Sequence, residues 1–407
     1  MDARIVIILL AEAAFCLMLL HFEGLLKKPV HVVTAAVLTV TAFGLRYLCL
    51  SHETLDYTTF LAKWVQYFRD NGGFSALSGS VGNYNVPYLY FLSAFSYSNI
   101  YDLYLIKLLS VFFDVVLAWA AMRLAGRFTK SVWRRLLVFF TVLLWPTVVL
   151  NGAYWGQCDS IYAAFAVLSV WLALDRRPAL SMVCIAVSFA FKLQAVFIMP
   201  LFLVLLFSRR MKLWHFLLFP VTYLVLVLPA VIAGRPLWDT VTLYFNQMGS
   251  VGSGLNYNSP SVFAFFRNVG NEELAAKLGI AAAFIFTISV LFWLYRNKNR
   301  ISDYTVLATA LLFVVAVPFL LPHMHDRYFF IADVLALVFA FSAPEYFMAP
   351  LLCEFASLLG YHAYLKARYL LPMSYGAAAL SVVIVVLLIF IRANLRNTRA
   401  RSVKSAN

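Results

Sequence analysis

The sequence predicts an all-α polytopic membrane protein, and three observations carry that prediction. Of its 407 residues 63% are hydrophobic and only 12% are charged, about half the charge of an average soluble domain. Apolar runs approaching the roughly 20 residues that a bilayer-crossing helix needs recur from Ile5 to Ile391. The 32 lysines and arginines cluster in short stretches between those runs. The net charge of +14 therefore reads as an orientation signal rather than as affinity for nucleic acid.

Taken in order, the apolar spans are expected at 5–21, 31–50, 103–125, 136–151, 158–174, 178–191, 195–207, 213–233, 279–295, 304–320, 328–342, 346–361 and 374–391, a bundle of about 13 transmembrane helices. Basic residues at Lys27/Lys28, Arg123 to Arg135, Arg176/Arg177, Arg209/Arg210/Lys212, Arg296/Lys298/Arg300 and the tail 392–407 each follow an odd-numbered span. They share one side, the cytoplasmic one. The external side then receives a first long loop at 51–102, a second at 234–278 and shorter turns at 151–157, 321–327 and 361–373. No internal repeat or linker interrupts the chain, so residues 1–407 are expected to form a single integral membrane domain. The run from Ile5 to Leu20 lacks a small-residue cleavage site and is followed by Lys27, Lys28 and another span, so a removable signal peptide is not expected. Five cysteines stand singly, without disulfide-framework or zinc spacing.

Titratable and aromatic residues gather in the external segments. Within the first loop, Phe60, Leu61, Trp64, Val65 and Phe68 fall on one helical stripe with Lys63, Gln66 and Asp70 outside it, the pattern of an interfacial amphipathic helix ended by Asn71-Gly72-Gly73. Asp56 stands where a span gives way to that helix, at the depth of a lipid headgroup, where a carboxylate can take a proton from an alcohol; the alternative is a helix N-cap. After Asn83-Tyr84-Asn85-Val86-Pro87, the apolar run Tyr88 to Ser96 is too short to cross and should re-enter or lie on the surface, packed against the surface helix. In Asn151-Gly152-Ala153-Tyr154-Trp155-Gly156-Gln157-Cys158-Asp159, Asp159 is a second candidate carboxylate, either assisting Asp56 or orienting a substrate.

The stretch between Arg177 and Arg209 must return to one side. Each half has only about 13 residues, roughly 20 Å as helix against a 30 Å core, so the hairpin turns within the membrane at Phe191-Lys192-Leu193-Gln194. An ammonium at that depth needs a polar cavity or an anion, unless Lys192 snorkels to the headgroups. Further on, Pro322 in a first helical turn would place His323, Asp326 and Arg327 on one face suited to a phosphate and turn His325 elsewhere. Aromatic rings beside amides and acids suit the apolar faces and hydroxyls of a sugar. On that basis Tyr57, Trp155, Gln157, Gln194, Gln247, Asn256, Asn258 and Asp326 are candidate sugar or acceptor contacts. No GxxxxGK[ST] or GxGxxG nucleotide motif is present.

In order and spacing, Leu55-Asp56-Tyr57, Trp155-Gly156-Gln157-Cys158-Asp159-Ser160, Phe191-Lys192-Leu193-Gln194 and His323-Met324-His325-Asp326-Arg327-Tyr328 resemble the GT-C superfamily of polyprenyl-phosphate-sugar-dependent glycosyltransferases. The likeness is to the bacterial family similar to the GPI mannosyltransferases and to the glucosyltransferases acting on lipid-linked oligosaccharide. That resemblance implies a GT-C-like helical bundle with Asp56 as general base and with Lys192, His323, His325 and Arg327 holding the donor phosphate. It also implies a polyprenyl-phosphate sugar, mannose or glucose, as donor and a lipid-linked or cell-envelope glycan hydroxyl as acceptor. A single displacement at the anomeric carbon implies inversion. No cofactor is expected, and a divalent metal shared by Asp56 and Asp159 is not favoured. The expected location is a bacterial plasma membrane, or else the endoplasmic reticulum, with the site facing outward. One span more precedes Asp56 than in many relatives. The competing reading is a transporter or flippase for a lipid-linked sugar or anionic solute, which would line both halves of the membrane with polar residues.

Overall fold

The structure is a computed structural model and describes residues 2–244, 254–266 and 269–404, with side chains to 397. Gln247, a candidate sugar contact, lies outside the described residues. The chain is almost wholly helical. Its α-helices are α1 Ala3–Phe22, α2 Pro29–Cys49, α3 Ala62–Asp70, α4 Val86–Phe95, α5 Asp102–Ala125, α6 Val132–Leu144, α7 Pro146–Val149, α8 Asp159–Leu174, α9 Pro178–Phe191, α10 Pro200–Phe207, α11 Leu218–Ile232, α12 Leu237–Val241, α13 Glu272–Arg296, α14 Asp303–Leu320, α15 Phe330–Ser342, α16 Met348–Leu365 and α17 Met373–Lys404.

Each expected span overlaps a helix, with differences of one or more residues at several ends. Among the described residues seven helices are long and apolar enough to cross a membrane, or eight if a bent pair counts as one span. That pair is α6 with the helical segment Pro146–Trp155, bent by 47°. Trp145 takes an extended backbone (φ −63°, ψ 130°), the geometry imposed on a residue before proline, so the span expected at 136–151 is broken rather than straight. Several other expected spans, such as α8, α9 and α15, have 16, 14 and 13 residues. At 1.5 Å per residue they fall short of the hydrocarbon thickness.

Packing divides the chain into two compact units. The first comprises Met1–Leu168, Val183–Leu193 and Leu218–Ser250; the second comprises Ser169–Met182, Gln194–Leu217 and Val251–Asn407.

In the first unit α1 packs on α2 and α5, α2 on α6, and α5 on α6. The buried residues of α1 are Ile5, Leu9, Glu12, Cys16 and Leu20, one stripe at helical spacing. Beyond α1, Glu23 accepts hydrogen bonds from Trp119 Nε1 and Arg123 Nη1, each 2.9 Å from Oε1, and from Arg135 Nη2 at 2.7 Å. Burial pushes the Glu23 carboxyl up, but these donors together hold it below its ordinary value. A fully buried pair joins α2 to α5: Arg46 Nη2 and Nε donate to Asp114 Oδ2 at 2.8 and 3.1 Å, and the Ser160 hydroxyl donates to Asp114 Oδ1.

The 51–102 segment lies across this unit as a layer of short helices. A π-helical turn, Tyr57–Leu61, runs into α3. Leu61, Trp64, Val65 and Phe68 are buried as the pattern predicted, each worth roughly 1.5–3 kcal/mol of burial. Phe60 is not: it is 48% exposed, and Tyr57 is buried at 2%. The wider π turn holds more residues per revolution and so rotates the first turn of the stripe. Gly72 and Gly73 end the helix at φ 84° and 65°, and a Cβ on Gly73 would stand 2.1 Å from the Tyr97 hydroxyl. α4 packs on α3, as its length suggested.

In the second unit α17 packs on α14 and α16, α15 on α14 and α16, and α10 on α13 and α14. Strands β1 Asn256–Tyr257 and β2 Met324–His325 pair in parallel, Asn256 opposite Met324 and Tyr257 opposite His325. This corrects the helical reading of 322–329. His323 takes a left-handed backbone at φ 60°, and helix resumes only at Phe330. The i, i+3 and i+4 face proposed for His323, Asp326 and Arg327 therefore does not form, because a non-local strand pairing takes the backbone donors a helix would use.

Candidate active site

In the first unit the candidate residues converge on the turn 151–160. A second π-helical segment, Leu150–Trp155, stops at Gly156, whose φ of 83° is open to glycine. The Gln157 N–H then returns to Asn151 O at 2.9 Å, and the Ser110 hydroxyl donates to Gln157 O at 2.7 Å. Trp155 and Gln157 are thus rigidly held, 0% and 3% exposed.

The chain entering the surface layer is fixed to this turn side chain by side chain. From α5, the buried Lys107 ammonium donates to Cys49 O at 3.0 Å and to His52 O. The His52 ring stacks on Tyr154 with centroids 3.8 Å apart. Thr54 Oγ1 donates to Trp155 O at 2.9 Å. Two residues on, the Asp56 carboxylate accepts at Oδ2 from Trp155 Nε1 at 2.9 Å and Gln157 Nε2 at 2.7 Å. Asp56 makes no side-chain capping bond to the helix that follows, so the N-cap alternative does not hold. Both donors are neutral, which orients the carboxylate without cancelling its charge.

Gln157 reaches in two directions. While its Nε2 donates to Asp56, its Oε1 accepts from the Tyr84 hydroxyl at 3.2 Å. The Lys192 ammonium lies 5.3 Å from the centre of the Tyr84 ring and 6.0 Å from that of Tyr162, within cation–π range. Lys192 is 6% exposed and donates to Asp159 Oδ1 in a buried ion pair. Asp159 Oδ2 accepts from Asn151 Nδ2 at 2.7 Å. Lys192 follows the end of α9 directly, as the hairpin argument placed it, but it turns inward to a carboxylate rather than outward to headgroups, so the snorkelling alternative fails. Asp56, Trp155, Gln157, Asp159 and Lys192 form one connected cluster. Tyr57 borders it: its ring meets Tyr101 edge-on at 5.8 Å, and burial together with hydrogen bonding to Tyr101 raises its phenol above the ordinary range.

In the second unit the candidates surround the strand pair. His323 N–H donates to Leu255 O, and His323 Nδ1 meets Gly254 O, both at 2.8 Å. A carbonyl only accepts, so Nδ1 carries a proton and Nε2 is left to an incoming group. The His325 ring stacks on Tyr257 at 4.8 Å. Asp326, 2% exposed, stands 3.6 Å from Arg327 Nη1. Both amide atoms of Asn256 close its own loop, Nδ2 on Ser259 O at 2.8 Å and Oδ1 on Ser259 N at 2.7 Å. Asn258 accepts from the Tyr369 hydroxyl at 2.5 Å. Gln194 lies in the 3₁₀ turn Leu193–Ile198, partly exposed.

Sequence reasoning passed over Tyr84, Asn151 and Lys107. Only the first two carried a signal, a Tyr between two Asn residues ahead of α4 and an Asn one helical turn ahead of Trp155. Lys107 reads from sequence as a cation near a span end. Among the described residues no group of three or more His, Cys, Asp or Glu could hold a metal ion.

Compared with known proteins, residues 83–322 match the family model described as Glycosyltransferase family 87. A search of curated proteins finds no match.

Proposed function

The chain belongs to glycosyltransferase family 87, and from that premise we propose that it is an inverting enzyme with Asp56 as general base. Its donor is a hexose, mannose or glucose, on a polyprenyl phosphate, and its acceptor is a hydroxyl of a lipid-linked or cell-envelope glycan on the external face of a bacterial plasma membrane. The observation that carries this reading is the Asp56 carboxylate, clamped at one oxygen by two neutral N–H donors at the point where the chain leaves α2 for the surface layer.

A sugar hydroxyl is a weak nucleophile at neutral pH. As it attacks the anomeric carbon its proton must pass to a positioned base, and Asp56 takes it. The bond between the anomeric carbon and the phosphate oxygen breaks on the opposite face, leaving polyprenyl phosphate. Fixed cations stabilise the charge that develops there. Lys192 is the first of these, and Asp159 with Asn151 positions its ammonium. In the second unit, Arg327 and His325 are assigned to a phosphate. His323 can donate to it from Nε2 only as the imidazolium, because Nδ1 already holds its proton on Gly254 O. Trp155 and Gln157 act on the reaction through Asp56.

The test is transfer by the purified full chain from a panel of polyprenyl-phosphate hexoses, wild type against Asp56→Asn. One donor should be consumed by the wild type, and the variant should lose about 10²–10⁴-fold in rate, the usual worth of a general base, with donor binding retained. Wild-type turnover by Asp56→Asn would remove the assignment. Lys192→Ala should instead raise the donor KM.

A further inference from the structure

Beside the Asp56 cluster the first unit holds an open cleft of about 690 Å³, within the size range of small-molecule sites. It lies between α3 and the segment leading into α5. Tyr57 and Tyr101, Lys63, Asn99 and the Arg69–Asp102 pair line it.

Its chemistry is specific in three ways. Tyr101 leaves 48% of its surface exposed although its hydroxyl is held on Glu53 Oε1 at 3.0 Å and its ring meets Tyr57 and Tyr104 edge-on, so a fixed ring still presents about half its surface. Arg69 Nη2 is fixed on Asp102 Oδ1 at 2.7 Å, and Arg69 Nη1 on Gln66 Oε1 at 3.0 Å. That row places planar donors and acceptors side by side, the arrangement that meets vicinal hydroxyls. Around it, the Asn99 amide and the Lys63 ammonium carry hydrogen-bonding groups at the mouth of the cleft. An exposed ring for the C–H face of a pyranose and planar polar groups for its hydroxyls are what a carbohydrate needs. A phosphate in the cleft would meet the Asp102 carboxylate.

We infer that this cleft is a binding subsite for the acceptor glycan, holding sugar rings behind the one whose hydroxyl reacts. The inference rests on the glycosyltransferase reading above and adds to it where the acceptor lies. Tyr57 in the cleft and Asp56 in the cluster are consecutive residues, about 3.8 Å apart at Cα. On a helical turn consecutive side chains point in different directions, so a chain of sugars in the cleft can present its terminal residue to Asp56 while the donor approaches from another side.

The experiment measures binding rather than turnover. Full-length protein in lipid nanodiscs is titrated with the methyl glycosides of mannobiose, maltose and cellobiose and with glycerol 1-phosphate, read by saturation-transfer NMR. Wild type should transfer saturation to at least one disaccharide. Asp56→Asn should do so equally, which separates this inference from the base assignment, since that variant is inactive if the base assignment holds. Tyr101→Ala combined with Asn99→Ala should weaken the signal at least tenfold. Tyr97→Ala, outside the lining, should not, and guards against general loss of fold in this layer. No transfer to any disaccharide in the wild type, undiminished transfer in the double variant, or transfer confined to glycerol 1-phosphate would each overturn the subsite.

Discussion

The two candidate regions hold their polar residues by opposite means. In the first unit, side chains far apart in sequence hold one another: Asp56 is bound by Trp155 and Gln157, 99 and 101 residues away, and Arg46 by Asp114. In the second, the backbone carries the arrangement. β1 pairs with β2, His323 bonds through its own N–H, and Asn256 is occupied within its own turn. A side-chain-held site places each reactive atom through a few replaceable contacts. A backbone-held one tolerates side-chain change until something obstructs the close approach of main chains.

That contrast can be broken most forcefully at the buried pair of the first unit. Arg46→Met leaves the Asp114 carboxylate fully buried without its guanidinium and should cost about 3–5 kcal/mol of stability, measured by thermal unfolding in detergent. Adding Asp114→Leu should recover much of the loss; no recovery would mean that Arg46 acts through other contacts. The next largest effect is expected at Gln157→Ala, which removes one clamp on Asp56 and the link to Tyr84. A misplaced base should lower kcat by about 10–100-fold with little change in donor KM, whereas Asn256→Ala should leave kcat within about twofold.

Smaller still is the backbone approach in the second unit. A Cβ on Gly360 would lie 2.8 Å from Asn258 O and 3.0 Å from Asp326 O, so Gly360→Ala should destabilise by about 1–3 kcal/mol, read as a lowered Tm. The smallest effect sits at Glu23. Its folded pKa lies below the 4.5 of the free side chain. The stability it contributes is therefore present above about pH 4.5 and is lost as pH falls through the lower folded value. Glu23→Gln should flatten the acid limb of a Tm-against-pH profile, and an unchanged limb would show that Glu23 adds nothing.

Family membership and geometry bear on different questions. The match to glycosyltransferase family 87 spans 83–322, which includes Tyr84, Trp155, Gln157, Asp159 and Lys192 but not Asp56. The connection of Asp56 to those residues comes from hydrogen bonds alone.

By itself the sequence determined the helices, because a bilayer leaves the backbone no other way to satisfy its hydrogen bonds and apolar runs mark where that constraint applies. It also singled out Asp56 at the head of the 51–102 segment and Lys192 at the turn after α9, since a charge stands out against apolar neighbours. The π turn that exchanged Phe60 for Tyr57 in the buried stripe, the strand pairing that replaced the helix expected at 322–329, and the Tyr84–Gln157–Asp56 chain were decided by tertiary structure alone. The last two depend on contacts between residues tens to more than a hundred positions apart, and periodicity reports only which way a residue faces along its own helix, not what stands opposite it.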